Sequence, residues 1–305
     1  MERLSARQLW GIVALTLMWG MNWPMMKLSL QHMSPLNFRA LTMLAGAVFL
    51  FFFVRSQGAK LWPSRDQWPA ILGLMVPNVL GWHLTSIYGV AELASGRAAI
   101  LGFTMPIITV LIGIGFFGER QTRRVALACA AAASAITLLL WHEFSRLSGS
   151  PLGVLYMLIA ASSWALGTVL MRRRKLKLDA KVLTVWMLLS GSAVLWLAAF
   201  AVGGPIDWAS FDTPMWLSLL YGAFINYGIA QLIWFGMASH LPPATSAMSI
   251  MAIPMVGIVT APFIVGEWPS WQDWVAVVFI VTAIAAVLMP PRTRRPKSPM
   301  EAACE

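Results

Sequence analysis

Ten runs of about twenty predominantly apolar residues follow one another along the chain, each long enough to cross a hydrocarbon core of roughly 30 Å as a helix. They occupy 9–29, 36–54, 68–88, 94–117, 124–141, 152–171, 181–202, 214–236, 243–265 and 271–289. In lipid every backbone N–H and C=O must be paired within the segment or across a closed barrel, so uniformly apolar runs of this length are helices. The longest connections are 55–67, 203–213 and the tail 290–305, none with room for a soluble catalytic domain. Composition agrees: 11% of residues are charged, against about 25% in an ordinary soluble domain. The first run continues past Trp23 without a small-residue cleavage site, so it reads as a retained span rather than a signal peptide. The expected fold class is all-α integral membrane, with ten transmembrane helices.

The formal net charge of +10 would suit a nucleic-acid binder, but the placement of the charges points elsewhere. With the N-terminus in the cytoplasm, 18 of the 22 basic residues fall on the inner side and only Lys27, Arg39, Arg97 and Arg146 on the outer. That is the positive-inside bias, and it puts both termini in the cytoplasm of a plasma, or bacterial inner, membrane. The run from Arg172 to Lys175 caps a span and faces an anionic leaflet, so no nucleic-acid partner is expected.

The two halves of the chain repeat each other. Asn78 with Asn226, Pro106 with Pro254, and Gly118-Glu119 with Gly266-Glu267 all stand at an offset of 148. Trp19 to Lys27 lies over Trp164 to Arg172 at an offset of 145. Each half holds five spans, an odd number, so the second copy enters the membrane from the opposite side and the repeats are inverted. The division expected is 1–146 and 147–290, followed by a disordered cytoplasmic tail at 291–305. Inverted repeats suit alternating access, with a binding site near the midplane.

These residues resemble the drug/metabolite transporter superfamily, in particular its EamA-type ten-span members. The likeness is carried by Trp19-Gly20-Met21-Asn22-Trp23, Ser34-Pro35-Leu36 with Phe38-Arg39, and Ala94-Ser95 through Thr104-Met105-Pro106 to Gly118-Glu119-Arg120. Ser163-Trp164-Ala165, Pro243 to Ser246 and Ile253-Pro254 to Gly266-Glu267 form a weaker second copy. The resemblance implies a central cavity walled by spans one to four and six to nine, with spans five and ten packed behind. It also implies a small-molecule substrate.

Polar groups inside spans are costly and tend to face a cavity or another helix. Asn22, Asn78, His83, Asn226 and Gln231 are the strongly polar candidates, with Asn78 and Asn226 expected to converge as repeat-related partners. Trp19, Trp23, Trp82, Trp164, Trp186 and Trp234 lie deep within spans, whereas Trp10, Trp62, Trp68 and Trp271 suit interfacial belts. Asn78 and Trp82 share one face of span three, and Asn226, Tyr227 and Trp234, with Gln231 beside them, form a stripe on span eight. Aromatic walls with a few amides would suit a flat amphipathic or cationic solute. The binding set is therefore Trp19, Asn22, Trp23, Asn78, Trp82, His83, Trp164, Asn226, Tyr227, Gln231 and Trp234. Helix-to-helix packing is the competing reading for any one of them.

Pro106 and Pro254, each lacking a backbone donor, are candidate hinges. Lys27 and Arg172, at matched span ends, are expected to snorkel. His83 is the one titratable side chain placed within a span where it could serve proton coupling. Cys129 and Cys304 are too far apart in context to suggest a disulfide framework, and the four histidines are scattered, so neither metal nor cofactor is expected. No phosphate-binding loop of the GxxxxGK[ST] type occurs. The expected function is a secondary carrier, monomeric or dimeric, that exports or exchanges a small organic metabolite. The rivals are a multispan enzyme, which would need a clustered catalytic set, and a non-transporting scaffold.

Overall fold

A computed structural model describes residues 6–118, 122–145, 149–174, 176, 178–238 and 243–288, with only the backbone described at 6, 7, 235–238, 243–251, 287 and 288. The expected tail and the residues Glu119 and Arg120 lie outside the described residues. The described chain is helical and carries no strand. Its rods are α1 (Ala6–Ser29), α2 (Pro35–Ser56), α3 (Trp68–Glu92), α4 (Ser95–Phe117) and α5 (Arg123–Ser145) in the first half. The second half holds α6 (Pro151–Arg173), α7 (Ala180–Val202), α8 (the consecutive segments Thr213–Leu220, Tyr221–Ile229 and Ala230–Ala238), α9 (Pro243–Val265) and α10 (Trp271–Leu288). Among the described residues, α2 to α8 are long and apolar enough to cross a membrane.

The helix ends follow from local chemistry. Ser34, Ser150, Asp179 and Asp212 cap α2, α6, α7 and α8, each accepting a hydrogen bond from a backbone N–H of the first turn. Pro35, Pro151 and Pro214 sit in the first turn of their helices, where the missing N–H costs nothing. Gly118 and Gly266 close α4 and α9 at φ of +67° and +70°, a left-handed conformation that a side chain resists.

Helices occupying equivalent places in the two halves make equivalent contacts. α1 packs on α9 and α8, while α6 packs on α4 and α3; α2 crosses α7, and α5 lies along α10. Gly46 of α2 and Gly191 of α7 show the device. A Cβ on Gly46 would stand 2.7 Å from the Ala223 carbonyl of α8, and one on Gly191 would stand 2.5 Å from Val79 of α3. Only a hydrogen at these two points lets the backbones approach so closely.

Both α3 and α8 depart from α-geometry at their centres, over Val76–Leu84 and Tyr221–Ile229, which are π-helical and begin 145 residues apart. Such wide turns mark functional sites more often than chance. The 145 offset thus runs from the first helix of each half through the third, and the shift to 148 falls after it. Asn78 and Asn226 are consequently not equivalent positions. Asn78 is buried at 5% exposure, donates to the Leu74 carbonyl at 2.9 Å, and packs on the α-carbon of Gly167 in α6. It lies at the crossing of α3 with α6, and its amide makes no hydrogen bond to Asn226.

Three further expectations change. Arg39 and Arg97, counted with the outer side in the sequence, are not solvent-exposed there but buried, at 2% and 8% exposure. Lys27 does not snorkel; its Nζ donates to the carbonyls of Val90, Ala91 and Leu93 at 3.0, 2.8 and 2.9 Å, closing the C-terminus of α3. Trp186 packs on Trp62 and Trp68, with ring centroids 5.0 and 4.9 Å away, and belongs to the junction of α7 with the loop after α2. Pro106 and Pro254 also differ in setting. Pro106 begins the second stretch of α4, after a break at Phe103 and Thr104, whereas Pro254 lies inside a continuous α9.

Candidate functional site

A cavity of about 240 Å³ lies between the two halves. From the first half, α1 contributes Trp19, Asn22, Trp23 and Met26, α2 Arg39, α3 Trp82, His83 and Ser86, and α4 Phe103 and Met105. From the second, α6 contributes Trp164, α8 Asn226, Tyr227, Gln231 and Trp234, and α9 Ile253. Every residue of the expected binding set except Asn78 lines this one space. The wall expected from span seven is not there: none of the lining residues comes from α7, which packs outside α2 and α3.

Helical spacing explains the convergence. Trp19, Asn22, Trp23 and Met26 repeat at intervals of three and four and form one face of α1; Tyr227, Gln231 and Trp234 do the same on α8. The rings meet edge-on or tilted: Trp19 with Trp234 at 5.7 Å, Trp23 with Trp82 at 6.3 Å and with Phe103 at 6.4 Å, and Trp82 with Trp164 at 5.3 Å. Edge-to-face pairs of this kind add about 0.5–1.5 kcal/mol each beyond their buried area, which makes the wall stiff.

Polar groups interrupt the aromatic wall at two places. The amides of Asn22, Asn226 and Gln231 line the cavity, and their side chains make no hydrogen bond to a described residue. Opposite lies a chain of three groups. Arg39 Nη1 donates to Tyr227 Oη at 2.7 Å, and that hydroxyl is 3.0 Å from His83 Nδ1. The guanidinium can only donate, so Tyr227 Oη accepts from Arg39 and its own proton is available to His83 Nδ1. Arg39 was missed because a cation near a span end reads as a topology signal. Its position five residues into the helix begun by Pro35 was the available clue.

A family model for the EamA-like transporter family matches residues 7–141 and again residues 151–289. The chain belongs to the EamA-like transporter family. It is therefore an integral membrane protein of a transporter family, which accords with its apolar helices. Relatives include the uncharacterized transporter YoaV of Bacillus subtilis, 24% identical over 81% of this chain and 85% of its own. The uncharacterized inner membrane transporter YedA of Escherichia coli is 26% identical, over 92% of this chain and 90% of its own. A probable amino-acid metabolite efflux pump of the same bacterium is 23% identical, over 90% and 93%. A crystal structure of a protein with 17% sequence identity superposes with a TM-score of 0.65, covering 93% of this chain and 96% of that one. At that identity the likeness is one of fold.

Proposed function

We propose that the chain is a secondary carrier of the bacterial inner membrane that exports or exchanges a small organic metabolite, an amino acid or similar amphipathic compound, by alternating access. In this reading the ten helices cross the membrane as two inverted repeats, 1–146 and 147–290, with both termini cytoplasmic. The observation that carries it is the cavity: aromatic walls and unengaged amides, supplied by both halves of a single chain, at the centre of the bundle. The double family match and the equivalent contacts made by paired helices support the repeat. The efflux pump among the relatives supports the substrate class.

The test is flux into proteoliposomes across a panel of amino acids, purines and quaternary amines. The carrier reading expects saturable uptake of one class, accelerated by unlabelled solute on the far side. In Asn226→Ala the half-saturating concentration of the best substrate should rise about 5- to 10-fold, the worth of one neutral hydrogen bond, with protein abundance unchanged. Chemically altered products would instead favour an enzyme. A panel without saturable uptake would remove the carrier reading.

A further inference from the structure

Two buried arginines in this protein are treated in opposite ways. Arg97 is fully neutralised: its Nε and Nη2 grip Asp273 side-on at 2.6 and 3.2 Å, and its Nη1 donates to Glu143. Arg39 is more deeply buried and faces no carboxylate among the described residues. Among the described residues its Nη1 meets the neutral Tyr227 hydroxyl, its Nη2 meets only the Met26 sulfur at 3.0 Å, and its Nε has no hydrogen-bond partner. A thioether is a weak acceptor and carries no charge. The edge by which Arg97 holds a carboxylate is therefore, on Arg39, without an anion. A desolvated cation in that condition is costly unless something supplies the negative charge.

Arg39, Met26, Tyr227 and His83 all line the central cavity, and among the described residues no Asp or Glu lines it with them. The start of α2, at Pro35, adds the positive end of a helix dipole near the same spot. We infer that the cavity binds an organic carboxylate: Met26 swings aside and the substrate's carboxylate takes Nε and Nη2 of Arg39 side-on, as Asp273 takes those of Arg97. The Trp19, Trp23 and Trp82 rings hold its apolar body. A monocarboxylate fits better than a phosphate dianion, because among the described residues no second Lys or Arg lines the cavity. Where the substrate also carries an ammonium, the oxygens of Asn22, Asn226 and Gln231 can accept from it. A purely cationic solute is disfavoured by like charge. This inference rests on the carrier reading for its biological meaning, but its binding site stands on the geometry alone.

Three probes with one shared body test it: 3-phenylpropanoate, 3-phenylpropanamide and 3-phenylpropylamine, titrated against purified protein in lipid nanodiscs and read by quenching of tryptophan fluorescence. The propanoate should bind on the order of 100-fold more tightly than the amide or the amine, the ratio expected for a buried charge pair against its broken form. Arg39→Gln should abolish the preference, and Arg39→Lys, which keeps a cation at the same depth, should keep part of it. The wild-type comparison needs no variant, so misfolding of Arg39→Gln would not rescue the idea. Equal binding of the three probes, or preference for the amine, would overturn it. Binding decides this inference and flux decides the carrier reading. Preferential binding without flux would leave the anion site standing and remove the carrier, and flux with no preference would do the reverse.

Discussion

Replacing Asp273 by alanine will destabilise the protein by about 3–5 kcal/mol, the usual consequence of removing one partner from a buried ion pair. Three helices meet at that carboxylate. Arg97 comes from α4, Glu143 from the end of α5 and Asp273 from the first turn of α10, and all three are buried. Asp273 also accepts from the N–H and the hydroxyl of Ser270, both at 2.7 Å, and so caps α10 as well. Loss of the carboxylate leaves Arg97 with Glu143 alone and frees the head of α10, which packs along α5. The thermal midpoint, followed by the fluorescence of detergent-solubilised protein, should fall by on the order of 10 °C. Asp273→Asn retains an acceptor for Ser270 and should fall by less. An alanine variant that melts with the wild type would show that the network contributes nothing net.

Gly46→Leu will be as damaging, for a steric reason. A Cβ at this position would overlap Tyr227 Cβ and stand 2.7 Å from the Ala223 carbonyl, both on α8, and a carbonyl in a helix cannot turn aside. The cost should reach at least about 3 kcal/mol, the upper range for overpacking. The damage should extend to the cavity, because Tyr227 holds Arg39 on one side and His83 on the other. A smaller yield of monodisperse protein on size-exclusion chromatography, with loss of 3-phenylpropanoate binding in whatever folds, is the expected pair of results. Normal folding and binding would mean that α2 and α8 are free to separate at that crossing.

Much of this was legible in the residues. Apolar length sets where a helix can start and stop, and caps such as Ser34 and Asp212 sharpen the ends, so the rods lie close to the runs that predict them. Helical periodicity put Trp19, Asn22 and Trp23 on one face, and Tyr227 with Gln231 and Trp234 on another. What periodicity cannot show is a change in the helix itself. The π-helical stretches of α3 and α8 begin 145 residues apart, so the offset of 148 that pairs Asn78 with Asn226 misses their register; Asn78 shares the α6-facing side of α3 with Trp82 and packs there on Gly167, as Trp82 packs on Trp164. Nor does a linear count of charges distinguish a loop cation from one drawn inward by a distant partner. Arg97 and Asp273 are 176 residues apart, and Arg39 and Tyr227 are 188 apart. Pro106 and Pro254 match in sequence yet stand in unlike backbone, because the break in α4 precedes its proline and α9 runs on through its own.

Carriage by alternating access requires the cavity between the halves to open in turn to the two sides of the membrane. Gln231 lines that cavity from α8, so Gln231→Cys in a Cys129→Ser, Cys304→Ser background is a reporter inside it. Membrane-impermeant thiol reagents can then be applied from either side of oriented vesicles, with and without saturating substrate. Labelling from both sides in separate experiments, each slowed by substrate, is the expected result. Labelling from neither side, or simultaneous open access that conducts the reagent through, would contradict it.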